Sequence, residues 1–259
     1  MNGLGRSKPL SGRDGRARSL RPREERAKNE ERGVRPRYPV SALSARRVSH
    51  PYNPRVGVRS LLADERTDLV AFLRTLSTED WDAPSLCEGW RVRDVVAHLL
   101  YDTSPLPRYL LEAARAGFSA RHMNARAVGR SNGTDSASLV DALERSIGGG
   151  TFARFAPSLA LADALIHHQD IRRPLNRPRA VPPERLLNVL DHPDPFASPR
   201  GRTRGLRFLA TDVSWSRGDG LEIQGAGEAI AMAIAGRTAV LADLSGDGVE
   251  TLRARLASS

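Results

Sequence analysis

The chain has 259 residues, 40 Lys+Arg against 30 Asp+Glu, and a net charge of +10. No apolar run of about 18 residues exists to span a membrane, and one cysteine, Cys87, rules out an internal disulfide and fits a reducing, cytoplasmic setting. The charge is uneven: residues 1–60 hold 16 Lys+Arg and 5 Asp+Glu, and the rest is almost neutral, so no basic footprint covers the body.

Residues 1–59 are arginine-rich, with scattered Pro and Gly and no sustained period. Too little apolar surface is present to offset ordering entropy, so disorder is expected. Two readings stay open. The segment is a basic tail, the one place where nucleic acid would bind by charge, or it is an upstream over-extension of the reading frame, with a start near Val56 or Val58.

Leu61 to Leu76 has an amphipathic helical pattern, and STEDWDAPSLCEGW reads as a loop. RVRDVVAHLLYD follows, with Val92, Val95, Val96, Leu99 and Leu100 on one stripe. PRYLLEAARAG resumes a helix after Pro105 and Pro107. RSNGTDSAS is polar and precedes a helix at about 137–147. A helix from about Ser158 to Arg173 ends at Pro174, and PPERLLNVLDH starts another on prolines. Residues 60–192 therefore read as an all-α bundle. HPDPFASPRGRTRG reads as a linker or a partly ordered crossing. Beyond it, LRFLATDVSWSRG and GLEIQG read as two short strands around an RGDG turn, with helices in AGEAIAMAIAGR and after LSGDG. Residues 204–259 thus form a small α/β domain expected to pack on the bundle.

Asp163, His167 and Asp170 occupy one stripe of the 158–173 helix, at i, i+4 and i+7. The helix is apolar nearly all round, so it should be central, and a buried carboxylate and imidazole need partners. Spacing alone suits an i,i+4 ion pair. The apolar flanks leave two choices, a buried ion pair or a metal site. His98, on another helix, is the natural third ligand. It lies off its own apolar stripe, beside Asp94 and Arg91, and reaches a site only under cover from another element; the C-terminal domain is the expected cover. Cys87 has no obvious histidine base and reads as a small buried residue. Trp81, Trp90 and Trp215 read as packing residues, and His50, His122 and His192 as solvated.

DWDAPSLCEGWRVRDVVAHLL, DALIHHQDIRRPL, SWSRGDGLEIQGAGEAIAMAIAGR and LSGDGVETLRARL, in this order over residues 60–259, resemble the mycothiol-dependent maleylpyruvate isomerase family, a branch of the DinB-like metal-binding bundles. The resemblance implies a mainly α fold, a DinB-like four-helix bundle followed by a small α/β domain. It implies a divalent metal, zinc foremost, on His98, Asp163 and His167, with Asp163 where the family commonly has glutamate, one methylene longer. His168 and Asp170 would support the site. It further implies mycothiol as thiol cosubstrate, a small and often anionic electrophile as substrate, and isomerase or S-transferase chemistry by a metal-bound thiolate. Arg237 matches a basic position near the family's active site; as a catalytic residue it would pair with a substrate carboxylate, and as a structural one it would bind the carbonyls ending its helix. The alternative is a DinB-like protein that binds metal or ligand without catalysis.

Overall fold

The computed structural model describes residues 57–258, apart from Thr103 and Ser198. The basic N-terminal segment and His50 thus lie outside the described residues, save Gly57–Arg59. Among the described residues no helix is long and apolar enough to cross a membrane.

The chain enters through α1 (Val58–Leu73), which buries Leu61, Leu62, Leu69, Val70, Phe72 and Leu73. The segment read as a loop contains a short helix, α2 (Thr78–Asp82). Ser77 and Asp80 start it with a reciprocal capping box, each side chain accepting from the other's backbone amide, and Trp81 is buried. α3 (Val92–Asp102) buries the expected stripe of Val92, Val95, Val96 and Leu99. After α4 (Leu106–Arg115) comes α5 (Ala120–Ser131), which the sequence pattern did not reveal. Its residues, ARHMNARAVGRS, carry no apolar stripe; the helix is held against α3 from outside. α6 (Ser136–Arg145) and α7 (Thr151–Phe155) lead into α8 (Pro157–Arg172), and α9 (Pro183–Asp191) follows.

α8 is the central helix, as its composition requires: Ala160–Ile171 is buried except at Asp163. It contributes to two apolar clusters. In one, Ile171 packs with Leu69, Leu73, Val92, Val95, Val96 and Leu143. In the other, Leu161, Leu165 and Ile166 pack with Leu62, Leu186 and Leu190, and this cluster continues into Phe208, Ile223, Ile230 and Met232 beyond the bundle.

The presumptive linker is built: a 3-10 turn at Pro195–Ala197 and a short helix, α10 (Pro199–Thr203). The strands depart from the simple pair around RGDG. β1 (Leu206–Ala210) is central in a three-stranded sheet. It pairs antiparallel with the two-residue β2 (Ser216–Arg217) and parallel with β3 (Leu221–Gly225), in the register Leu206 to Leu221 through Ala210 to Gly225. The RGDG turn therefore carries the chain across the start of β1. Glycine is required there: a Cβ on Gly218 would lie 2.2 Å from the Leu206 carbonyl oxygen, and one on Gly220 2.3 Å from that of Gly205.

α11 (Gly227–Ile234) runs between the sheet and α9, which explains why it is apolar on all sides. A 3-10 turn (Thr238–Asp243) and α12 (Val249–Ala257) complete the chain. Polar ties reinforce the junction with the bundle. Arg173, just past α8, bonds Glu228 through Nε at 2.9 Å and Asp243 through Nη1 at 2.7 Å, and Trp215 Nε1 donates to Asp191 at 2.8 Å.

Candidate metal centre

The i,i+4 spacing on α8 aims Asp163 and His167 the same way, and α3 brings His98 to them. Asp163 Oδ1 lies 3.3 Å from His167 Nε2 and 3.6 Å from His98 Nε2. The two imidazoles meet edge to face, with centroids 4.9 Å apart. His98 lies off its apolar stripe in the cleft that Phe196 and Arg237 of the C-terminal part also line. Asp94, its neighbour one turn earlier, is buried against the Arg91 amide and guanidinium at 2.9–3.1 Å, and Trp90 of the preceding loop covers His98, with ring centroids 5.3 Å apart.

These three residues fit a divalent ion. Two ligand atoms about 2.0–2.1 Å from one tetrahedral zinc lie about 3.3 Å from each other, close to the separations found here. Asp163 Oδ2 is buried with no hydrogen-bond partner among the described residues, as is His98 Nδ1. A buried carboxylate oxygen without a donor is costly, and a cation removes that cost. The aspartate is long enough to stand between both histidines, in spite of its missing methylene.

His167 faces a second constellation through its other nitrogen. Nδ1 lies 2.9 Å from Asp170 Oδ2 and 3.5 Å from Cys87 Sγ. Cys87 gets there because its loop is pinned to α8, the Leu86 amide donating to the Asp170 carbonyl at 3.0 Å. The sequence offered no histidine for Cys87; the fold supplies His167, a neighbour 80 residues away. Arg237 clasps Asp170 with Nε at 2.9 Å and Nη2 at 2.6 Å, while its Nη1 donates to the Ala235 carbonyl at 3.0 Å. Arg237 reaches the candidate centre with its Nε and Nη2 edge on Asp170, and it bonds a carbonyl at its helix end. Cys87, His167 and Asp170 could also hold an ion by their spacing, but the Arg237 guanidinium already lies against two of them, and like charge opposes a cation there.

Burial pushes the Asp163 carboxyl up, but the His167 charge and hydrogen bonds from His167 and His98 hold it well below the usual carboxylate range. Burial pushes His167 down; Asp163 outweighs it and raises the imidazole well above its ordinary value. At Asp170, burial is outweighed by the bonds from His167 and Arg237, and the carboxyl falls to about 2. Asp170 therefore stays an anion, fixing the His167 ring.

His168 turns the other way. Fully buried, it lies 2.8 Å from Glu65 Oε1 through Nδ1 and accepts from Arg172 Nε at 2.8 Å through Nε2. Glu65 also takes Arg179 and, at 3.0 Å, Arg185. This charged cluster, absent from the sequence reading, draws its members from α1, α8, α9 and the segment before α9; no local spacing announces it. His122 and His192 are exposed as expected.

The centre opens on a cleft of about 950 Å³, walled by Trp90, Tyr101, Tyr109 and Phe152 of the bundle side and by Phe196 and Arg237 from the C-terminal part.

Residues 62–150 match the family model described as the mycothiol maleylpyruvate isomerase N-terminal domain. Two solved structures share the fold: the mycothiol-dependent maleylpyruvate isomerase, at 17% identity, and a histidine-to-alanine mutant of it, at 16%. Each covers 73% of this chain and 91% of the solved one, with a TM-score of 0.52. No curated protein matches the chain in sequence. The mainly helical bundle with its small sheet is thus a fold shared with those two solved structures, and residues 62–150 are similar to the N-terminal domain of the mycothiol maleylpyruvate isomerase family.

Proposed function

We propose that the protein is a cytoplasmic, metal-dependent enzyme that uses mycothiol to isomerise a small electrophile in the cleft or to transfer the thiol sulfur onto it. His98, Asp163 and His167 hold the ion, and their imidazole and carboxylate donors suit zinc. The observation that carries the reading is the bracketing of Asp163 Oδ1 by two imidazole Nε2 atoms at 3.3 and 3.6 Å, with Oδ2 buried and unpartnered among the described residues. The family match and the shared fold support the thiol and the class of reaction. An ion at this place would supply the positive charge that favours thiolate over thiol.

The remaining work falls to the chain's own side chains. Asp170 accepts from His167 Nδ1 and so keeps Nε2 free to face Asp163. Arg237 neutralises Asp170 and fixes its plane through two bonds. Trp90, Tyr101, Tyr109 and Phe152 give the cleft an aromatic wall against which a small substrate is held and water is displaced.

A non-catalytic metal- or ligand-binding role is the second reading. It is favoured by one observation: His98 Nδ1 has no acceptor among the described residues, so this ring lacks the support that His167 has. The test is elemental analysis of the full chain purified without a metal-binding tag, with His98→Ala and His167→Ala beside it, followed by turnover of a mycothiol conjugate. About one equivalent of metal, lost in both variants, together with turnover, supports the enzyme. Metal without turnover selects the second reading. Protein that takes up no metal even from added zinc returns Asp163 and His167 to a buried ion pair.

A further inference from the structure

α4 turns Tyr109, Glu112 and Ala113 inward, and Tyr109 meets Phe152 of α7 edge to face at 5.2 Å on the cleft wall. Its outward side is apolar as well. Leu106, Leu110 and Leu111 are 42–51% exposed. Pro107 and Ala114 are exposed too, and at about 100° per residue all five positions fall on one side of the helix. Two phenylalanines extend this surface. Phe118, just past α4, is 75% exposed, and Phe155, at the end of α7, is 67% exposed. Phe118 has a φ of +56°, a left-handed conformation that is costly for a bulky residue and gains it no burial here. Leu106 and Phe155 line one groove of about 780 Å³. Large apolar side chains gathered in this way exceed the single ones of an ordinary surface and mark an interaction site.

The rim of the face is basic. Arg108 and Arg115 border the apolar side of α4 and are exposed. Arg59 and Arg154 line the groove, and no Asp or Glu does. Glu112, the one acid of α4, is buried and lies 3.2 Å from Arg115 and 3.5 Å from Arg126. The basic run of the sequence joins at the same place: Gly57, two residues before Arg59, ends the stretch that gives residues 1–60 their 16 Lys+Arg against 5 Asp+Glu. A second copy of the chain seated on this face would set arginine against arginine, with no free acid to answer. An anionic bilayer answers both features. Leucine and phenylalanine enter the acyl boundary, and the arginine stems snorkel to the phosphates. An apolar patch with a polybasic segment beside it makes up the two signals that lasting attachment to a membrane surface takes.

We infer that the outward face of α4, with Phe118 and Phe155, docks the protein on the surface of an anionic lipid bilayer. The cleft is not the docking element, because α4 gives Tyr109 to the cleft and Leu110 to the outward face. The inference is independent of the metal reading.

The probe is a vesicle of phosphatidylglycerol and phosphatidylcholine, floated with the full chain at low ionic strength beside vesicles of phosphatidylcholine alone. Thermal melting and solution mass are measured on the same proteins. Wild type floats with the anionic vesicles, at least about tenfold more than with the neutral ones. The double variant Leu110→Glu, Leu111→Glu alters only exposed positions, so it melts as wild type does. Its partition falls at least about tenfold, from lost apolar burial and from like charge at the lipid surface. Arg108→Gln lowers partition about fivefold, the factor for one basic residue near such a surface. Flotation undiminished in the leucine variant, and abolished in it and in wild type by salt, would mean that the basic N-terminal segment alone makes the contact, and overturns the inference. Equal flotation with both vesicles overturns the anionic assignment. A wild-type dimer that the leucine variant breaks into monomers, with no flotation, gives the face to a second copy of the chain instead.

Discussion

His167 Nδ1 and Asp170 Oδ2 meet at 2.9 Å across one turn of α8. That contact decides which imidazole nitrogen is left for a metal, and Asp170 is itself held by Arg237 through two bonds. Replacing Asp170 by Asn keeps the shape and removes the charge. Metal affinity should fall about 10- to 100-fold, the usual cost of losing a partner behind a ligating histidine. Competition with a chelator of known affinity measures it. Unchanged affinity would mean that Asp170 serves Arg237 alone.

Cys87 separates the two ligand groups that share His167. With Cys87→Ala, metal should stay near one equivalent, because His98, Asp163 and His167 remain. Elemental analysis is enough to check this. Loss of metal in Cys87→Ala but not in His98→Ala would move the ion to the other side of the imidazole.

Glu65 carries the charge balance behind α8. Burial pushes its carboxyl up, but the hydrogen bond from His168 and the Arg179 charge bring it down to about 2, against an ordinary 4.5. A depressed carboxyl contributes stability that is complete above the unfolded value and is lost as pH falls through the folded one. The window therefore runs from about pH 4.5 down to about pH 2. Glu65→Gln leaves Arg179 and Arg185 facing a neutral amide, so at pH 7 it should destabilise by about 3–5 kcal/mol, the range for breaking a buried pair. Urea melts at several pH values test both statements. The gap between wild type and variant should narrow below pH 4.5, and a gap independent of pH would contradict the charge assignment.

Leu165 is fully buried where α8 meets the shared cluster. Leu165→Ala should cost about 2–5 kcal/mol in transfer and cavity terms. A denaturant midpoint shift measures it. A cost under about 1 kcal/mol would mean the surrounding side chains collapse into the space, contrary to their burial here.

The parts of the molecule legible in sequence are those written in local periodicity. The stripe Val92–Val95–Val96–Leu99 gave α3, and a helix apolar all round gave a central α8. α5 escaped because ARHMNARAVGRS is placed by contact with α3 and carries no stripe of its own. The parallel pairing of β1 with β3 escaped because RGDG signals a turn but not which side of β1 the chain returns to. In the site, Asp163 and His167 were visible as an i,i+4 pair, and His98 as the third ligand from another helix, which the family resemblance also implied. The Cys87 and Glu65 environments were not: their partners lie 80 or more residues away, where sequence spacing holds no information.

His167 and His168 are consecutive, yet one looks into the cleft and the other into the Glu65 cluster. The helix is thereby keyed like a shaft with two opposed pins. A turn about its axis that moved His167 would drag His168 off Glu65 and Arg172 off the Phe72 ring. The alignment of the centre is therefore set in part by residues that never touch it, and drift at Arg179 or Arg185 would detune the cleft from behind.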